Sequence, residues 1–211
     1  ADKIVRIGDT ATYRLTLKLG EGTNRSVTVR DALPAGMAYD SLVGITPASG
    51  SSTFTYAVVS QPAPGATGSL TWDLGTVVNT PSNNNTPFDA LIIEYKAKVL
   101  PDAGIAQAPS TSLPNTATLS YLDAGGNTVV DPARLVSSDT LTLRQPVMSS
   151  IAKLGNGASN TATTPLNVNV AAGTVHFQLR SCNTSGLAPA YSVKFTDVLA
   201  SQLNESSITS P

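Results

Sequence analysis

Alternation of apolar and polar residues with a period of two recurs along this chain and constrains its fold more than any other feature. Between Thr10 and Leu19, Tyr or Leu occupies every second position from residue 13, and Thr, Arg or Lys lies between them. Alternation of this kind is typical of an antiparallel strand with one buried face. The same pattern recurs at 27–29, 54–58, 70–74, 91–99, 117–121 and 141–143. Because Tyr13, Tyr95 and Tyr121 share strand phase with aliphatic neighbours, we expect them in the core.

Clusters of Gly and Pro separate these runs, at 20–22, 34–36, 62–65 and 123–127. Residues of these types favour turns, and the cluster at 123–127 predicts a hairpin loop. We find no window with helical spacing and caps. Many short strands joined by such turns predict an all-β, immunoglobulin-like Greek-key β-sandwich.

The composition excludes several classes of function. There is one Cys, Cys182, and one His, His176, so the chain cannot supply a four-ligand zinc site or an internal disulfide. The net charge of −1 provides no basic field for nucleic acid. No apolar run is long enough for a membrane helix, so we expect no membrane insertion. We expect no enzyme activity, no catalytic residue, no cofactor and no metal. No calcium loop motif occurs, and calcium at a domain junction is left open.

Two segments near the start of the chain recur near its end. The motif at 8–15 resembles that at 173–179, and VTVRDAL at 27–33 resembles VKFTDVL at 193–199, which aligns Tyr13 with Phe177 and Asp31 with Asp197. We therefore predict one complete domain at 1–145 and the N-terminal part of a second, truncated copy at 146–211, with a linker at Pro146. The missing strands are expected either in a continuation of the chain or in strands added by another chain.

An ordered set of four motifs carries a family resemblance: IGDTATY at 7–13, VTVRDALPAGMAY at 27–39, LTWDLGTV at 70–77 and NTATLSY at 115–121. Together they resemble the conserved-repeat β-sandwich domain of large bacterial surface proteins and the related fimbrial isopeptide-forming domains. The resemblance implies a non-enzymatic stalk or adhesive-fibre repeat at the bacterial cell surface, outside the cell. It also implies that neighbouring repeat domains of the same chain are its partners.

In the isopeptide-forming relatives a Lys bonds to an Asn with the help of a buried carboxyl group. The resemblance places Asn115 at the Asn position and Asp31 at the acid, and Lys3 is the only Lys upstream of the motif at 7–13. A crosslink between Lys3 and Asn115 is thus a candidate. In the second copy, Lys153 holds the corresponding place.

Other interpretations stay open for the same residues. Asp31 is equally typical of a carboxylate that accepts backbone hydrogen bonds in the following turn, and Asn115 of a loop cap. Trp72 could stack on a sugar, but its alternation with Leu70 and Leu74 favours a core position. The alternative function is an extracellular module whose loops at 44–52 and 79–87 bind carbohydrate, with a host or cell-surface glycan or protein as partner.

Overall fold

A computed structural model of the chain describes residues 3–48, 53–80, 89–101, 110–123, 125–129, 135–155, 158–159, 176–184 and 188–199. The chain separates into two compact units, Ala1–Gln145 and Pro146–Pro211. The regular structure of the described residues consists of strands. The all-β class predicted from alternation is therefore confirmed.

The first unit is a sandwich of two sheets. Its strands are β1 (Ile4–Val5), β2 (Thr10–Leu19), β3 (Gly22–Ala32), β4 (Met37–Pro47), β5 (Phe54–Thr55), β6 (Ser69–Asn79), β7 (Asp89–Val99), β8 (Ser110–Leu122) and β9 (Val136–Arg144). The larger sheet has the order β1-β9-β8-β3-β6-β5, and the smaller has the order β2-β7-β4. Successive long strands from β2 to β8 alternate between the sheets, as in an immunoglobulin-like Greek-key sandwich.

The core follows directly from the period-two pattern. On β2, Tyr13, Leu17 and Leu19 are buried while the even-numbered residues are exposed, because successive side chains of a strand point to opposite faces. Trp72 is fully buried and lies 5.0 Å, centroid to centroid, from the ring of Tyr95. The predicted core position of Trp72 is thus confirmed, and the ring is not available as a sugar platform.

The strand predicted at 54–58 is shorter than its alternation suggests. β5 ends at Thr55, and pairing with β6 resumes in the same register at Ser60 and Asp73. Between these points Gly75 of β6 has a φ of 56°, which turns its backbone out of the extended conformation. Val59 is therefore left 65% exposed at this edge of the sheet.

The predicted hairpin at 123–127 is present. Asp123 Oδ1 accepts a hydrogen bond from the Asn127 backbone N–H at 2.9 Å, and Gly126 has a φ of 82°. The backbone and side-chain hydrogen bonds from Asn127 lower the pKa of Asp123. The loop is therefore organised by one aspartate, as in an Asx turn.

The second unit contains a three-stranded antiparallel sheet. Its strands are β10 (Ala152–Gly155), β11 (Ala158–Ser159) and β12 (Phe177–Arg180), in the order β11-β10-β12. Residues 173–175, which open the repeated motif, lie outside the described residues. That this unit is a partial copy of the first stays a prediction.

Candidate functional site

A cluster of polar side chains lies inside the first unit, between its two sheets. Asp31 on β3 and Asn115 on β8 belong to the larger sheet, and Tyr95 on β7 belongs to the smaller one. Asp31 and Tyr95 are fully buried, and Asn115 is 5% exposed. All three occupy inward positions of their strands, so alternation alone brings them to the same layer.

Hydrogen bonds between side chains connect the cluster across the two sheets. The Tyr95 hydroxyl donates to Asp31 Oδ2 at 2.5 Å. The Asn115 amide nitrogen lies 3.3 Å from the same oxygen and 3.4 Å from the Tyr95 hydroxyl. The two sheets are thus joined by a polar contact as well as by apolar packing.

Burial changes the acidity of these groups. It raises the pKa of Asp31 above the usual 3.8, although the hydrogen bonds from Tyr95 and Asn115 oppose the change. Burial, together with the nearby charge of Asp31, also raises the pKa of the Tyr95 phenol. A carboxyl group in this environment favours its neutral, proton-donating form more than an exposed one does.

Two oxygen atoms of the cluster are not satisfied. Asp31 Oδ1 and Asn115 Oδ1 are buried and have no hydrogen-bond partner in the described part of the chain. A buried acceptor without a donor costs free energy, about 1–3 kcal/mol for a neutral group. The site is therefore incomplete as a hydrogen-bond network among the described residues.

Lys3 lies close to this cluster but outside it. Its ammonium group forms an ion pair with Asp139 of β9, and both side chains are more than half exposed. Asp139 is the cross-strand partner of Asn115 in the β8–β9 register. The hydrogen bond from Lys3 lowers the pKa of Asp139. The structure thus brings Asn115 and Asp31 into contact. It places the Lys3 side chain on Asp139, the residue opposite Asn115, and not on Asn115 itself.

The roles of two residues at this site, Tyr95 and Asp139, were not predicted from the sequence. Tyr95 was expected only as a core aromatic, and Asp139 was not singled out. The one signal for Tyr95 is its inward phase, because a buried Tyr hydroxyl usually needs a partner.

The second unit contains a lysine–aspartate contact. Lys153 Nζ lies 2.8 Å from both carboxylate oxygens of Asp197 and 4.5 Å from the centroid of the Phe177 ring. The predicted repeat aligns Asp197 with Asp31 and Phe177 with Tyr13, and in this unit the Lys contacts the Asp directly. His176 and Cys182 are exposed, and Cys182 is a free thiol.

The loops predicted to bind carbohydrate are only partly described. Gly44 is inside β4 rather than in a loop, at an irregularity of the register with β7. Asn79 ends β6 and is buried, and its amide nitrogen donates to the Leu19 carbonyl at 3.2 Å. Residues 49–52 and 81–87 lie outside the described residues.

The described ranges show neither a metal site nor a membrane-spanning helix. No group of three or more His, Cys, Asp or Glu side chains there could hold a metal ion. No helix in this part of the chain has the length and hydropathy that a membrane crossing needs.

Comparison with known proteins gives structural neighbours only. No family model and no curated protein matches the chain. The fold is similar to that of the full-length major pilin SpaD from Corynebacterium diphtheriae, with 14% identity and a TM-score of 0.40 over 71% of this chain and 34% of that one. It is also similar to BcpA, the major pilin subunit of Bacillus cereus, with 12% identity and a TM-score of 0.41 over 85% of this chain and 52% of BcpA. The chain thus spans about a third of SpaD and half of BcpA.

Proposed function

We propose that this chain is a non-enzymatic structural repeat of a bacterial cell-surface or fimbrial protein, joined outside the cell to neighbouring repeat domains. The observation that carries the proposal is the pairing of the first and last strands of the first unit. β1 pairs parallel with β9, with Ile4 opposite Thr142 and Val5 opposite Leu143. The strands through which the unit connects to the rest of a fibre are therefore bonded to each other.

Parallel pairing determines how tension acts on these bonds. Force on the N-terminal end of β1 and on the C-terminal end of β9 pulls the two strands in opposite directions along their axes. The bonds between them, which include Thr142 N–H to the Lys3 carbonyl at 2.7 Å, then share the force instead of opening one by one. The Lys3–Asp139 ion pair adds a contact between the same strands. This geometry suits a unit that transmits force.

The interior of the unit supports the same function. The Tyr95–Asp31 hydrogen bond joins the sheets where both residues are fully buried. A group enclosed in this way contributes to cohesion of the fold rather than to turnover of a substrate. The polar cluster is thus proposed as a structural tie.

A covalent tie between Lys3 and Asn115 is proposed at the same place. Lys3 would first leave its ion pair by giving a proton to the Asp139 carboxylate. Its neutral amine would then attack Asn115 Cγ, the bond from Cγ to Nδ2 would break, and Nδ2 would leave as ammonia. Asp31, whose burial favours the protonated form more than exposure to water would, would polarise the amide and transfer protons. The contact between Asp31 and Asn115 supports this reaction. The bond would connect β1 to β8.

Single-molecule stretching of the chain between its ends tests the proposed function. Val5→Pro removes a ladder donor from β1, whereas the control Thr55→Pro removes one from β5, which lies outside the path of the force. We expect Val5→Pro to lower the unfolding force and Thr55→Pro to leave it nearly unchanged. In the Lys3→Met background, where no bond to Asn115 can carry tension past β1, equal forces for the three proteins would contradict the proposal. A Lys3–Asn115 bond would be visible separately, because residues between the two positions could not extend.

A further inference from the structure

One side of the first sandwich is open. A groove of about 360 Å³ lies between β2 of the smaller sheet and β9 of the larger one, with part of β8 as its floor. Residues 12–17 form one wall and 135–139 the other. The wall on β2 is about 17 Å long at the usual rise per residue, which is enough for an extended segment of five or six residues.

The β2 wall has backbone groups that face no neighbouring strand among the described residues. β2 is the edge of its sheet in this part of the chain, where it pairs with β7. The hydrogen bond from Val99 N–H to the Asp9 carbonyl begins the alternation of this ladder, so the odd-numbered residues of β2 bond to β7. The N–H and C=O groups of Thr12, Arg14 and Thr16 therefore point away from β7. They offer a template for one more strand.

A buried acceptor without a partner in the described part of the chain lies beneath the floor of the groove. Asn115 lines the groove and is 5% exposed, and its Oδ1 has no partner among the described residues. Asp139 lines the rim and contributes a carboxylate. Lys3 pairs with Asp139 at that rim but does not bond to Asn115 in this structure. The β2 edge thus favours a ligand that forms backbone hydrogen bonds, and Asn115 and Asp139 favour a ligand with a cationic donor.

We propose that this groove binds an extended peptide segment of a protein partner, one lysine of which points into the groove. The segment would add to β2 as a fourth strand of the smaller sheet. Its lysine ammonium would bind Asp139, and a turn of the Asn115 side chain would bring the buried Oδ1 to the same ammonium. In a chain without the Lys3–Asn115 bond, Lys3 occupies the same carboxylate, so Lys3 and the incoming lysine compete for the rim.

Binding of a fluorophore-labelled peptide, VTVKVTV, to the full chain tests this inference by anisotropy. The analogue with norleucine in place of lysine should bind about tenfold more weakly, since it loses a charged hydrogen bond. The Lys3→Met variant should bind the lysine peptide more tightly. Thr16→Pro removes an N–H that faces the groove without breaking the β2–β7 ladder, and it should abolish binding. Lys18→Pro, on the same edge beyond the groove, is the matched control and should retain it.

Three outcomes would overturn the inference. Equal affinity for the norleucine analogue would remove the role of the ammonium group. Unchanged binding by Thr16→Pro, with both proline variants folded by the fluorescence of Trp72, would remove the strand addition. Failure to bind the peptide, with a concentration-dependent dimer that Thr16→Pro abolishes in analytical ultracentrifugation, would assign the groove to a second copy of the chain.

Discussion

The hydroxyl of Tyr95 donates a 2.5 Å hydrogen bond to Asp31 Oδ2, and this bond joins the two sheets of the first unit inside its core. The two residues are separated by 64 positions in the chain. The Tyr95 ring also packs on Tyr13, with centroids 5.3 Å apart, so the side chain is held by apolar contact as well. Its ring and its hydroxyl can therefore be tested separately.

Replacing Tyr95 with Phe should destabilise the fold by about 1–3 kcal/mol, because it leaves a buried carboxyl group with a weaker set of donors. Tyr39→Phe is the matched control, since the Tyr39 ring lies in the same core, 5.9 Å from that of Tyr95, and its hydroxyl takes no part in the hydrogen bonds of the Asp31 cluster. Urea unfolding followed by Trp72 fluorescence measures both. Equal losses for the two variants would show that the hydroxyl of Tyr95 contributes nothing specific.

The acidity of Asp31 predicts a pH dependence of stability. Its pKa in the folded chain lies above the usual 3.8, mainly because of burial. The folded state thus holds this proton more tightly than the unfolded state. Its contribution to stability is fully present below the unfolded pKa and is lost as the pH rises through the folded value.

Asp31→Asn isolates this effect, because the amide resembles the neutral carboxyl and does not titrate. The wild-type chain should lose stability relative to Asp31→Asn as the pH rises above the usual value of 3.8, and the loss should continue until the pH passes the higher pKa of the folded state. Asp123 and Asp139 have lowered pKa values and act in the opposite direction, but they are present in both proteins and cancel in the difference. A difference in unfolding free energy that does not change with pH would contradict a raised pKa of Asp31.

Alternation in the sequence was sufficient to predict most of the long strands of the first unit and their buried faces, but it did not indicate β4 and made β5 too long. It assigned Trp72, Tyr13 and Tyr95 to the core, and the structure confirms these positions. The resemblance to surface-protein repeats singled out Asp31 and Asn115, which are in contact. The hairpin at 123–127 was predictable because its turn chemistry is local.

Register and cross-sheet contacts could not be predicted in the same way. A strand shifted by two residues keeps the same buried face, so alternation does not determine which residues are opposite each other. The pairing of Asn115 with Asp139, and hence the position of Lys3, depends on that register. Gly44 was read as part of a loop, yet it lies at an irregularity inside β4, where Gly is equally favourable.

The proposed bond between Lys3 and Asn115 predicts a change in mass. Loss of ammonia should make the intact chain about 17 Da lighter than its sequence. Lys3→Met and Asn115→Ala should each weigh what their sequences require, whereas the control Lys18→Met should keep the deficit. Intact-mass spectrometry of the denatured chain measures this directly. An unshifted mass for the wild-type chain would exclude the bond and leave the Tyr95–Asp31 contact as the tie between the sheets.

The distribution of the core predicts that residues 1–145 fold without the second unit. The hydrophobic core cluster extends from Val5 to Leu143 and lies wholly in the first unit. The polar cluster of Asp31, Tyr95 and Asn115 lies there as well. A chain of residues 1–145 should therefore unfold in one cooperative transition, with the fluorescence change of Trp72 at the same urea concentration as in the full chain. A markedly lower midpoint would show that residues after Gln145 stabilise the first unit, and the two units would then have to be regarded as one cooperative domain.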